Sequence, residues 1–210
     1  MKLRTRVKIC GFTRTEDLLE AARLGVDAVG FVFYAKSPRA VDCCSAQKML
    51  CSLPAFVTSV GLFVDPQAQE VEAVIREVGV DLLQFHGDED AAFCASFERP
   101  YIKAVRMREN VDLDEIAAKY VGARALLLDA YQSGTPGGTG QSFDWARVPP
   151  ELSKPVILAG GLDATNVSRA ISQVRPFAVD VSGGVESHKG VKDSQKMQEF
   201  MKGVDDVNRE

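Results

Sequence analysis

Short apolar runs rich in β-branched residues alternate with amphipathic stretches from one end of the chain to the other. The runs at 7–12, 28–33, 57–64, 82–86, 101–106, 125–129, 156–159 and 177–181 predict strands. Several are almost continuously apolar, as parallel strands are when helices cover them from outside. Helical segments fill the intervals. Thr15 stands before Glu16 and Asp17, which places carboxylates in a first turn, where the helix dipole favours them. Pro66 is expected to open a helix in which Val71, Val74, Ile75 and Val78 share one face. Asp163 is expected to cap the segment carrying Val167 and Ile171. The last segment, 193–207, brings Met197, Phe200, Met201 and Val204 to one side.

Such an alternation fits a closed (β/α)8 TIM barrel or a long doubly wound sheet. Two features favour the barrel. No G-x-G-x-x-G or P-loop follows an early strand, as a nucleotide-binding sheet would require. In addition, Cys10-Gly11, Val64-Asp65, His86-Gly87, Asp129, Gly160-Gly161 and Ser182-Gly183-Gly184 all fall at or just beyond strand C-termini. That is the face on which barrel enzymes build their active sites. No linker or break in composition interrupts residues 1–210, which predicts one α/β barrel domain.

The chain has 210 residues, 46% apolar and 26% charged, enough for a sizeable core. A net charge of −4 and the lack of a basic, aromatic-studded stripe argue against a nucleic-acid partner. There is neither an apolar leader nor a membrane-length apolar run, so no membrane partner is expected and a cytoplasmic location is. Five cysteines without a C-x-x-C pair read as free thiols in a reducing compartment. The two histidines, His86 and His188, have no metal-ligand spacing, so neither metal nor other cofactor is expected. Monomer and homodimer are equally open.

Two glycine clusters, Gly160-Gly161 and Ser182-Gly183-Gly184, follow the last two strands. In barrels those loops commonly hold a phosphate, because residues without a side chain let backbone N–H groups approach its oxygens. The expected partner is a small phosphorylated molecule. The loop at 131–142 is longer than α/β connections usually are and is expected to act as a lid or ligand contact. Cys10 and Asp129 end the first and sixth strands as a candidate proton-transfer pair. Lys8 lies on the same side of its strand as Cys10, and an ammonium there favours the thiolate. Arg39, on the loop after strand two, can grip a carboxylate by two parallel bonds. His86 and Asp180 are expected to support the pocket.

These residues sit within longer blocks. Lys8-Ile9-Cys10-Gly11-Phe12-Thr13, Gly30-Phe31-Val32-Phe33-Tyr34 with Ser37-Pro38-Arg39, and Leu83-Gln84-Phe85-His86-Gly87 come from the first half. Leu127-Leu128-Asp129, Gly137-Gly138-Thr139-Gly140, Leu158-Ala159-Gly160-Gly161-Leu162 and Val179-Asp180-Val181-Ser182-Gly183-Gly184-Val185-Glu186 come from the second. Taken in order, the blocks resemble the phosphoribosylanthranilate isomerase family along essentially the whole chain. The resemblance implies an Amadori rearrangement of N-(5-phosphoribosyl)anthranilate in tryptophan biosynthesis, without a cofactor. It implies Asp129 as general acid, Cys10 as general base, Arg39 as ligand of the anthranilate carboxylate and the glycine clusters as phosphate loops.

The related histidine-pathway isomerase uses a pair of aspartates, whereas strand one here ends in Cys10, and Arg39 offers an aryl carboxylate a partner. Ribulose-phosphate epimerases rely on metal ligands that this sequence lacks. A barrel that only binds a metabolite would keep Cys10, Asp129 and Arg39 together by coincidence.

Overall fold

A computed structural model describes residues 4–130 and 142–209. Its first half alternates β1 (Arg6–Cys10), α1 (Thr15–Arg23), β2 (Ala28–Val32), α2 (Cys43–Leu50), β3 (Thr58–Phe63), α3 (Ala68–Glu77), β4 (Leu82–Phe85) and α4 (Ala91–Ala95). Then come β5 (Tyr101–Arg106), α5 (Leu113–Lys119), β6 (Leu126–Asp129), a 3₁₀ turn (Trp145–Arg147), β7 (Val156–Leu158), α6 (Val167–Val174) and β8 (Ala178–Val181). A second 3₁₀ turn (Gly183–Val185) leads into the hairpin β9 (Glu186–His188) and β10 (Val191–Lys192), and α7 (Ser194–Arg209) closes the chain. β1 to β8 pair in sequence order, all parallel, and β8 returns to β1. This is the closed (β/α)8 barrel that the alternation of runs predicts. Among the described residues no helix is long and apolar enough to cross a membrane.

Helix starts differ from the sequence expectation in detail. Arg14 precedes α1 and Thr15 is its first residue, with Glu16 and Asp17 in the first turn as expected. Pro66 does not open α3. Gln67 does, because its side chain and that of Glu70 satisfy each other's backbone N–H groups. Asp163 accepts from Thr165 in the turn before α6, and Asn166 occupies the cap position. The stripe of Met197, Phe200, Met201 and Val204 on α7 is buried as the periodicity predicts.

Alternation along each strand divides the sheet into two surfaces. Val7, Ile9, Val29, Phe31, Phe63, Leu83, Phe85 and Val179 face outward and form one core with the helices. Ile102, Ala104, Ala125, Leu127, Ile157, Ala159 and Ala178 fill part of the barrel's interior, and Cys10, Val32 and Leu62 form a small cluster nearer its mouth. Lys8, Gln84 and Asp180 are also buried, so the barrel's inner surface is partly polar. That composition suits a floor beneath a reactive site better than a purely structural core.

One buried ion pair braces the loops at this mouth. Lys103 Nζ lies 2.9 Å from Glu89, which also accepts from the N–H groups of Asp65 and Gly87. Lys103 donates in addition to the carbonyl of Gly87 at 2.7 Å, and the Tyr120 hydroxyl donates to that of Glu89 at 2.8 Å. Burial pushes the Tyr120 phenol up to about 12, so it stays a donor at neutral pH. Glu89→Ala leaves an unpaired buried ammonium and is expected to cost about 3–5 kcal/mol of stability. Urea unfolding measures it; a loss below about 1 kcal/mol would mean that the pair behaves as a solvated one.

Candidate active site

The C-terminal ends of the strands surround a cavity of about 440 Å³, within the range of small-molecule sites. Cys10, Arg39, His86, Asp129, Gly160, Gly161, Asp180, Ser182, Gly183 and Gly184 line it. Every described candidate for catalysis, substrate binding or pocket support therefore reaches one pocket except Lys8, which lies below it. The long loop at 131–142 falls, apart from Ser142, outside the described residues.

Cys10 is 4% exposed at the end of β1. Its carbonyl accepts from Lys192 Nζ at 2.6 Å and from the Ser182 hydroxyl at 2.9 Å, which fixes the strand end. Gly30 on β2 makes room for the thiol, since a Cβ there would come within 2.7 Å of Sγ. Lys8 lies below and pairs with Asp180 at 2.8 Å. Burial opposes the Lys8 charge, but Asp180 and Cys10 outweigh it and keep the ammonium above its usual range. Lys8 favours the Cys10 thiolate, as expected, but it is not the larger influence. Burial outweighs it and pushes the thiol up.

Asp129 closes β6, with Oδ2 3.0 Å from His86 Nε2. His86 Nδ1 lies 3.1 Å from Gln84 Nε2, making a buried chain Gln84–His86–Asp129. Among the described residues Gln84 Oε1 has no partner. Gly160 runs at φ +80°, and a Cβ there would collide with the backbone of Ala130 and come within 2.8 Å of Asp129 Oδ1. Glycine at 160 is thus required to pack strand seven against the carboxylate, besides any service to a phosphate. Asp180, ion-paired with Lys8, has its carboxyl pushed up by burial, with Lys8 partly opposing.

Arg39 is not a free cation. Its Nε and Nη2 donate to the two oxygens of Glu186 at 2.7 Å each, a forked pair at the pocket wall. Gly30, Gln84 and Glu186 stand inside the motif blocks without a role assigned from sequence, and Lys192 lies outside them. A glycine inside the run Ala28-Val29-Gly30-Phe31-Val32 was the one visible signal, because such a glycine often marks a close approach. The short hairpin that carries Glu186 and Lys192 leaves no periodic trace.

The site thus combines a buried thiol, a carboxylate coupled to a histidine, a guanidinium on the wall and glycine-rich strand ends. Such a pocket can exchange protons with a small bound molecule. Comparisons with known proteins identify the family. The family model described as N-(5'-phosphoribosyl)anthranilate (PRA) isomerase matches residues 7–203. The N-(5'-phosphoribosyl)anthranilate isomerase of Pseudomonas putida (strain W619) is 58% identical over 199 residues, covering 95% of this chain and 97% of the relative. The crystal structure of phosphoribosyl anthranilate isomerase from Thermotoga maritima superposes with a TM-score of 0.85 at 37% identity, covering 96% of this chain and 99% of that one. A further phosphoribosyl anthranilate isomerase structure, in complex with reduced 1-(o-carboxyphenylamino)-1-deoxyribulose 5-phosphate, gives a TM-score of 0.82 at 36% identity, covering 96% and 99%. With this pocket at the mouth of this barrel, the chain belongs to the N-(5'-phosphoribosyl)anthranilate isomerase family.

Proposed function

We propose that Asp129 and Cys10 divide the proton transfers by which this isomerase of tryptophan biosynthesis converts N-(5'-phosphoribosyl)anthranilate to 1-(2-carboxyphenylamino)-1-deoxyribulose 5-phosphate. Asp129 protonates the ribose ring oxygen as the ring bond to C1 breaks, and the anthranilate nitrogen supplies the electron pair that forms an iminium. The iminium acidifies the hydrogen on C2, and Cys10 as thiolate removes it. The electrons of that C–H bond become the double bond of an enolamine, which relaxes to the aminoketone. The substrate's own nitrogen serves as electron sink, so the sequence needs no cofactor.

The observation that carries this reading is the meeting of Cys10, Asp129 and Arg39 on one cavity with both glycine clusters. Arg39 takes the anthranilate carboxylate. Gly160-Gly161 and Ser182-Gly183-Gly184 take the phosphate. The Gln84–His86 chain holds the carboxyl group at 129 in place. Gln84 Nε2 donates to His86 Nδ1, which leaves the imidazole hydrogen on Nε2 to donate to Asp129 Oδ2. The role of Cys10 requires a free thiol, which fits a reducing cytoplasm.

The test is direct. Freshly made phosphoribosylanthranilate is mixed with the protein and the anthranilate fluorescence is followed; no turnover above background sinks the reading. Within it, Arg39→Met is expected to raise KM about tenfold or more, by loss of a charge-assisted pair to the carboxylate. An unchanged KM would remove Arg39 from substrate binding.

A further inference from the structure

We infer that Glu186 is a positioning residue that aims one edge of Arg39 at the substrate's aryl carboxylate, and so sets the preference for carboxylate-bearing arylamines. The inference rests on the reading of Arg39 as the carboxylate ligand and goes beyond it by assigning a second residue, on a different element, to selectivity.

A guanidinium has five N–H groups in one plane. Glu186 takes one from Nε and one from Nη2, at 2.7 Å each. Two hydrogens on Nη1 and one on Nη2 remain; the Nη2 hydrogen and one of those on Nη1 form the adjacent edge, which can receive a second carboxylate side by side. Both Arg39 and Glu186 line the cavity, and the Arg39 side chain is only 12% exposed. The stem of Arg39 is confined as well. It crosses Gly11, where a Cβ would meet its Cδ at 2.5 Å. A guanidinium pinned along one edge, on a confined stem, is held in one orientation at the cavity wall.

Glu186 is itself held. Lys192 Nζ, fully buried, lies 2.9 Å from its Oε1. The same ammonium donates to the carbonyls of Cys10 and Ser182, at 2.6 and 3.3 Å, and so spans the ends of β1 and β8. Lys196 donates to the Glu186 carbonyl at 2.7 Å. The β9–β10 pairing places Glu186 opposite Lys192. Burial raises the Glu186 carboxyl, but Arg39 and Lys192 together outweigh burial and keep it below the usual carboxylate range. The charges also favour the assignment. Arg39 and Lys192 against Glu186 leave one positive charge in excess, and an incoming aryl carboxylate cancels it. Without Glu186 the site holds two neighbouring cations and an unpinned arginine.

The alternatives predict different outcomes. If Glu186 merely occupied Arg39 as a competitor, removing its charge would tighten substrate binding. If it only braced the fold, every substrate would suffer equally. The experiment compares kcat/KM for phosphoribosylanthranilate and for the corresponding phosphoribosyl aniline, which lacks the carboxylate. Wild type, Glu186→Gln, Glu186→Asp and Arg39→Met are measured, with circular dichroism and thermal melts to establish folding.

The expected result is a preference for the carboxylate substrate in wild type. Glu186→Gln should reduce that preference about tenfold or more, chiefly through KM for the anthranilate substrate. Glu186→Asp, which keeps the charge, should restore part of it and serves as the test should Glu186→Gln prove unfolded. Equal losses for both substrates in the Glu186 variants overturn the inference, and so does tighter binding of the anthranilate substrate. A preference lost in Arg39→Met but kept in Glu186→Gln overturns it while leaving Arg39 as the ligand. A preference unaffected by Arg39→Met means instead that the reading of Arg39 has failed.

Discussion

Replacing Asp129 with asparagine is expected to lower kcat by about 10²- to 10⁴-fold, the usual worth of a positioned general acid. The substitution is nearly isosteric. An amide can still share a hydrogen bond with His86, whose Nε2 lies 3.0 Å from the carboxylate, and it fits beside Gly160. What it cannot do is deliver a proton to the ribose ring oxygen. The loss should therefore fall on kcat while the reaction product binds about as well as to the wild type, as calorimetry would report. A rate near that of wild type would mean that another group opens the ring. A large loss of product affinity would mean that Asp129 serves binding more than chemistry.

A loss of similar size is expected for Cys10→Ser, for a different reason. Serine keeps the shape of the side chain and the space that Gly30 leaves for it, but a hydroxyl is a far weaker acid, and its anion does not form near neutral pH. The wild-type enzyme should also show a distinctive pH dependence. Burial raises the Cys10 thiol above its ordinary value, so kcat/KM is expected to climb as pH rises into the alkaline range, as the reactive thiolate forms. The sign for stability is opposite. The native thiol holds its proton more tightly than the unfolded chain does. Its contribution is therefore complete below the ordinary thiol pKa and lost as pH rises through the raised one. Thermal melts of wild type and Cys10→Ser across that range should converge as the pH rises. A wild-type rate independent of pH there would argue against a buried thiol as the base.

The sequence made the barrel legible because parallel strands sheathed by helices are apolar on both faces, and the runs ending at Cys10 and Asp129 stand out for that reason. It also placed Lys8 correctly, since alternation alone puts it on the inner face with Cys10. What it could not weigh was burial, which depends on the whole closed barrel and reverses the net direction of the thiol's shift. Arg39 illustrates a second limit. Its partner Glu186 lies 147 positions away in the chain, on a hairpin of three- and two-residue strands too short to leave a period. Glycine was legible in kind but not in cause. Gly160 reads as a phosphate turn from sequence, yet its contact with Asp129 would demand glycine in any case. The connection between β6 and β7 carries a 3₁₀ turn rather than a regular helix among the described residues, a departure that the repeating pattern conceals.

The division of labour between Cys10 and Asp129 turns on which group removes the hydrogen from C2. Single-turnover conversion of phosphoribosylanthranilate carrying deuterium at that carbon, by wild type and by Cys10→Ser, addresses this step without interference from product release. The account predicts that deuterium slows the wild-type reaction and that Cys10→Ser converts either isotopic form at least about a hundredfold more slowly. Conversion by Cys10→Ser at close to the wild-type rate, with the isotope effect intact, would contradict it.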